Sequence, residues 1–221
     1  MKPYFLSVFN LFSEENFDDY GSVILNTAVM DGVIEAATGM TYAQAMRTLL
    51  LEPLGITRVS FTQANMLASS DHASPHERTS DGWVPIPAQN TYYDLVSAAG
   101  INAGIHDMAI WMRALLGGMP DKLPPGIIEQ VFSPVVDTPR ERDRFNWKRH
   151  LRRAWYAKGW RVFDYDGHTM VGHSGRVRGY QSQIVLLPDF RTGVVVLQNG
   201  WFANHAAFKF MEMYLERRSA P

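Results

Sequence analysis

The densest group of side chains able to do chemistry is Val171-Gly172-His173-Ser174-Gly175-Arg176, which runs on into Gly179-Tyr180 and an apolar stretch to Leu187. A histidine two residues before a glycine, at a strand edge, offers an imidazole to a cleft. The glycine, lacking Cβ, lets a substrate approach the backbone closely. Alone the tripeptide is a weak signal, because a strand-edge histidine bonded to its neighbours satisfies it equally well. His72 and His76 share an i,i+4 spacing, but they lie in a Ser/Pro-rich stretch with no third ligand. No metal site and no cofactor are therefore expected. The sequence holds no cysteine, which removes disulfides, thiolate ligands and a cysteine nucleophile.

The elements that must position these residues fall into two textures. A helix is predicted from about Thr27 to Thr38, with Asn26 as cap, Val29, Met30, Val33, Ile34 and Ala37 on one face, and Gly39 at its end. Thr41 and Gln44 form a capping box for a second helix that buries Ala45, Met46, Leu49 and Leu50 and stops at Pro53. Gly55 to Gly104 reads as one long irregular stretch, of the kind that is functional or wrapped over another element. A third helix follows from Asp107 to Leu116, ended by Gly117-Gly118, and a short one from Ile127 to Phe132. Residues 140–153 are rich in arginine and read as a solvated surface loop.

After Tyr156 the pattern becomes one of strands: Trp160 to Tyr165, the Asp166-Gly167 hairpin turn, His168 to Gly172, Gln181 to Leu187 and Val194 to Leu197. A helix from Ala206 to Arg217 turns Phe208, Met211 and Leu215 inward, and Trp111 and Trp160 are expected in the core. The fold class is α+β: a mostly helical part (1–153), then an antiparallel meander with a C-terminal helix (154–221). With 221 residues, 46% of them hydrophobic, the chain can bury a sizeable core. A net charge of -1 gives no field that would draw nucleic acid, and no apolar run reaches the length of a membrane span. Met1 to Phe12 makes a poor signal peptide.

In order and spacing, Lys158-Gly159-Trp160, Asp166-Gly167-His168, Gly172-His173-Ser174-Gly175, Gly179-Tyr180, Leu187-Pro188-Asp189 and Val194 to Asn199 resemble the class C beta-lactamase and penicillin-binding-protein-like family. Glu35 to Thr41 with Glu52-Pro53-Leu54-Gly55, and Ala98 to Trp111, extend the resemblance over roughly Tyr20 to Leu215. It implies a partial beta-lactamase/transpeptidase-like fold and a site of three motifs: Ser-x-x-Lys, Tyr-x-Asn, and Lys-Thr-Gly or His-x-Gly. In such a site serine attacks an acyl carbon, lysine and tyrosine carry its proton, and backbone amides hold the oxyanion. His173, Ser174 and Gly175 match the third motif, and the resemblance gives the amide of Arg176 as oxyanion donor. Histidine in place of lysine is more like the esterase, amidase and peptidase-like members.

For the second motif, Tyr20-Gly21-Ser22 supplies a tyrosine, with Ser22 where asparagine is usual; alignment on Asn26 instead puts Ile24 at the tyrosine position. Tyr92 and Tyr93 are candidates for the cleft rim, with Gly179 and Tyr180 beside the substrate. The first motif is absent, since no serine of this sequence has lysine three residues on. The expectation is a chain lacking the nucleophile segment and inactive alone. Its substrate would be a small ester or amide, it would form a homo-oligomer or pair with a complementing N-terminal segment, and the family setting would be periplasmic or secreted. A non-catalytic remnant that keeps the fold for binding is the alternative.

Overall fold

In a computed structural model, residues 30–141, 147, 149–201 and 205–219 are described. Helix α1 spans 30–38 and ends at Gly39, whose φ of 70° needs no Cβ to be accommodated. Ile34 is buried, but Val33 and Ala37 face solvent, so the inward stripe is narrower than the periodicity suggests; the residues before Met30 lie outside the described ones.

Helix α2 begins with both bonds of the capping box, the Thr41 hydroxyl taking the Gln44 N–H and the Gln44 side chain taking the Thr41 N–H. It continues through Tyr42–Met46, a wide π turn at Arg47–Leu51, and Glu52–Leu54. Pro53 does not stop it. The π turn bonds the Glu52 N–H to the Arg47 carbonyl, five residues back, and so widens the backbone just ahead of the proline. Gly55 in the left-handed region ends the helix instead.

The stretch from Gly55 to Gly104 is far from irregular. It holds α3 (Gln63–Ala68, capped by Thr62), a hairpin of β1 (His76–Thr79) and β2 (Gly82–Pro85), a 3-10 turn at Thr91–Leu95, and α4 (Val96–Ala99). The hairpin closes on Ser80-Asp81, with Gly82 at φ 119° and the Thr79 hydroxyl bonded to the Gly82 carbonyl. Helix α5 (Ile105–Arg113) passes into a π segment, Ala114–Gly118, where Gly117 breaks the helical path. Helix α6 follows at Pro125–Phe132.

Among the described residues, six strands make the main sheet in the order β3-β4-β5-β6-β7-β8: Val136–Asp137, Leu151–Tyr156, Arg161–Tyr165, His168–Val177, Tyr180–Leu187 and Thr192–Gln198. β3 to β6 pair antiparallel in sequence order. The turn between β5 and β6 is the expected one, with Asp166 and Gly167 both at positive φ. Residues 140–153 are not simply a surface loop. Leu151 to Arg153 begin β4, where a register shift between Leu151 and Arg153 leaves both Arg152 and Arg153 exposed while Leu151 and Ala154 are buried, and Trp147 ahead of the strand is 2% exposed.

The chain divides into two units. The first comprises Met1–Trp111, Ser174–Ser182 and Leu197–Phe202; the second comprises Met112–His173, Gln183–Val196 and Ala203–Pro221. Within the second, α7 (Ala206–Ser219) buries Phe208, Met211 and Leu215 against Trp147, Phe163, Tyr165, Met170, Val185 and Leu187. Burial of side chains this large stabilises by about 1.5–3 kcal/mol each. Within the first, Tyr42, Met46, Leu50, Phe61 and Trp111 are buried, and Arg47 lies over the Phe61 ring while donating to the Val59 carbonyl at 2.8 Å.

Candidate active site

The His-Ser-Gly motif does not sit at a strand edge. It lies well inside β6, whose ladder continues to Val177, and the chain passes from the second unit into the first between His173 and Ser174. Within the second unit His173 is 1% exposed, and its Nε2 lies 3.4 Å from the Tyr156 hydroxyl. The two rings meet nearly edge to face, with centroids 6.3 Å apart. Strand register explains the meeting: Tyr156 on β4 pairs with Arg161 on β5, and Arg161 pairs with Gly172 beside the histidine. Burial lifts the Tyr156 pKa, opposed in part by the Arg161 guanidinium. The phenol therefore stays protonated at neutral pH, and the direction of its hydrogen bond follows the imidazole tautomer. Gly172 has a packing reason. A Cβ there would come within 2.8 Å of the Phe208 ring and 3.1 Å of the Ile184 carbonyl oxygen.

Within the first unit, Ser174 and Gly175 are buried, and the Arg176 guanidinium stacks 4.0 Å over the ring of half-exposed Trp201. The turn after β6 turns on Gly179, at φ 82°. A Cβ on Gly179 would lie 2.4 Å from the Pro75 Cβ, so the close approach it permits is to the chain's own segment 73–77. That segment is tied down repeatedly. Tyr180 donates to the Ala73 carbonyl at 2.7 Å, and Asn199 Nδ2 donates to the Ser74 carbonyl at 3.0 Å and lies 3.2 Å from His76 Nδ1. Arg178 makes a two-pronged ion pair with Glu77, with Nη2 at 2.9 Å, and hydrogen bonding to that guanidinium holds the Glu77 carboxyl below the usual glutamate range.

Tyr92 donates to the Arg178 carbonyl at 2.7 Å, while Tyr93 donates to Asn102 Oδ1 at 2.9 Å. Burial raises all three phenols, and Tyr180 is pushed up to about 12. They act as hydrogen-bond donors here, not as bases.

Tyr92, Gly179 and Tyr180 thus gather around the turn after β6, joined by Glu77, Asn199 and Ser74. Tyr20 and Ser22 lie outside the described residues. Sequence reasoning missed Tyr156, because its meeting with His173 depends on a register across three strands. It also missed the hairpin carrying Glu77, although Asp81-Gly82 was a usable turn signal. Among the described residues no group of three or more His, Asp or Glu could hold a metal ion, and no helix is long and apolar enough to cross a membrane.

The family profile described as Beta-lactamase matches residues 20–210. The chain belongs to the Beta-lactamase family. A curated relative, unguisins hydrolase ungD' of Aspergillus campestris, is 28% identical over 179 residues, covering 79% of this chain and 32% of that protein. Protein flp of Staphylococcus aureus is 27% identical over 175 residues, with the same coverage of 79% and 32%. The chain therefore spans about a third of the length of the curated relatives it matches.

Among solved structures, it is similar to the octameric penicillin-binding protein homologue from Pyrococcus abyssi (TM-score 0.66, 24% identity, 77% of this chain and 36% of that one). It is also similar to a D-stereospecific amidohydrolase from Streptomyces sp. (TM-score 0.62, 17% identity, 80% and 49%). At such identities these likenesses concern the fold, a mixture of helices and antiparallel sheet shared with beta-lactamase and penicillin-binding-protein structures.

Proposed function

We propose that this chain supplies the strand-motif half of an acyl-transfer site acting on small esters or amides, and that it is inactive alone. The observation that carries the reading is a His-Ser-Gly motif within a sheet strand of a Beta-lactamase family chain, its histidine buried beside a protonated tyrosine. His173, Ser174 and Gly175 line the acyl group, and the amide N–H of Arg176 donates to the developing oxyanion. Tyr156 holds the His173 ring. Tyr92, Gly179 and Tyr180 shape the substrate side of the turn after β6, and Tyr20 with Ser22 takes the Tyr-x-Asn position.

No serine in this sequence has lysine three residues on, so the nucleophile and its lysine come from a separate Ser-x-x-Lys segment. Serine Oγ attacks the acyl carbonyl and its proton passes to the lysine–tyrosine pair. The tetrahedral intermediate expels the alcohol or amine, which takes that proton back, and water then releases the acid.

The test is intact-mass analysis with a fluorophosphonate, followed by hydrolysis of p-nitrophenyl acetate, with and without a family segment bearing Ser-x-x-Lys. The chain alone should give no adduct. The complemented chain should turn over, and Arg176→Pro, which removes the donating N–H, should lower kcat by about 10²–10³-fold. A stable adduct on Ser174 of the chain alone would overturn the reading. Substrate binding without turnover after complementation would favour a non-catalytic remnant that keeps the fold.

A further inference from the structure

One cleft within the second unit plays no part in the proposed chemistry. It has a volume of about 350 Å³ and is lined by Met112, Arg113, Leu116, Arg191, Thr192 and Gly193. Two arginines and no acidic side chain line it. Among the described residues neither guanidinium has an ion-pair partner, since Arg113 and Arg191 take part in none of the salt bridges there. The acid nearest in sequence is Asp189, and its Oδ2 already accepts the Thr169 N–H at 3.1 Å.

The backbone on both sides of the cleft departs from regular structure. Arg191 is one of only two described non-glycine residues at positive φ, held at 49° by a bond from its N–H to the Pro188 carbonyl at 2.9 Å. A non-glycine residue costs roughly 1–3 kcal/mol in such a conformation, and outliers of this kind cluster at binding sites. On the opposite wall α5 loosens into the π segment at Ala114, directly after Arg113, and wide turns of this sort recur where helices meet ligands. Gly193 is kept small because a Cβ would come within 2.7 Å of the Met112 sulfur, so the thioether can lie against the strand as an apolar wall.

We infer that this cleft binds an oxyanion carrying an apolar tail, a fatty carboxylate or an alkyl phosphate, with Arg113 and Arg191 on the anion and Met112 and Leu116 along the chain. Arginine suits the task because its planar fork meets carboxylate and phosphate through paired N–H donors. The Thr192 hydroxyl adds a neutral donor to the same wall. The inference does not depend on the acyl-transfer reading, and it holds whether or not the complemented chain turns over.

The experiment is an amide-resolved NMR titration of the full chain with octanoate, octyl phosphate, inorganic phosphate and, as a neutral control, octyl glucoside. Octanoate or octyl phosphate should shift the amides of Gly117, Gly118, Thr192 and Gly193, each more strongly than inorganic phosphate, and octyl glucoside should leave them in place. Whichever of the two gives the lower Kd identifies the headgroup. Arg113→Ala and Arg191→Ala should each weaken binding about tenfold and the double variant should abolish it, while Arg113→Lys retains part. Both side chains are exposed, so the variants keep the fold, and an unchanged spectrum away from the cleft confirms it. Binding of octyl glucoside at equal strength, undiminished binding by the double variant, or no shift at millimolar octanoate and octyl phosphate would overturn the inference.

Discussion

Around Trp147 the second unit packs ring against ring, with Phe163, Tyr165 and Phe208 centred 5.3–5.7 Å away. The first unit holds its 73–102 stretch differently, with tyrosine hydroxyls, Asn199 and a carboxylate each fastened to the main chain or to a guanidinium. Apolar burial is large and indifferent to direction. Hydrogen bonds exchanged with water contribute only about 1 kcal/mol net apiece, but they fix where a carbonyl or a turn sits. A scaffold strand and a turn that must hold a loop in place call for these two different qualities.

The largest expected effect is on the apolar side. Phe208→Ala should lower stability by about 3–5 kcal/mol in a chemical denaturation series, because the hole opens among Trp147, Phe163 and Gly172. Gly179→Ala comes next, at roughly 1–3 kcal/mol, since its positive φ resists a side chain and Pro75 occupies the space. Thermal melts of this variant would show whether the 73–77 segment can give way. If Gly179→Ala matches the wild type, that segment is held less firmly than its hydrogen bonds imply.

A third change isolates one bond. Tyr180→Phe should cost about 1 kcal/mol, leaving the Ala73 carbonyl without its donor while keeping the ring. The smallest effect is electrostatic. Glu77 has a lowered pKa in the fold, so its pair with Arg178 stabilises at pH values above the ordinary glutamate pKa and that contribution fades as pH falls through the folded value. Glu77→Gln should therefore trail the wild type slightly at neutral pH and low salt. The gap should close in acid and at high ionic strength, as melts across pH would record.

Much of the sheet was legible in the sequence because its signals are local. Asp166-Gly167 demands a type I′ turn, and the 206–217 periodicity names Phe208, Met211 and Leu215 without reference to anything distant. The capping box at Thr41 and Gln44 is local too. The failures share the opposite property. Trp147 sits among arginines, and charge density pointed to solvent although one indole could still reach a core. Pro53 looked like a stop because nothing in sequence announces a π turn. His173 was placed at an edge because β6 outruns its alternation, and Tyr156 was invisible because only a three-strand register brings it near. The 76–85 hairpin lay hidden under serines and prolines despite its Asp-Gly.

The Asp166-Gly167 turn also bears on how the protein ages chemically. An Asp-Gly pair isomerises when the glycine amide nitrogen attacks the aspartate carboxyl and closes a succinimide. At this turn both reactants are occupied, the Gly167 N–H by Asp164 Oδ1 at 2.9 Å and the Asp166 carboxylate by His150 Nδ1 at 2.7 Å. Of the two other such pairs, Asp31-Gly32 lies inside helix α1, whereas Asp81-Gly82 lies in the β1–β2 hairpin, where the exposed Asp81 carboxylate accepts from the Ser80 hydroxyl at 3.4 Å. On prolonged storage isoaspartate should accumulate at Asp81 first, in the hairpin that carries Glu77, while the turn feeding the His-Ser-Gly strand stays intact.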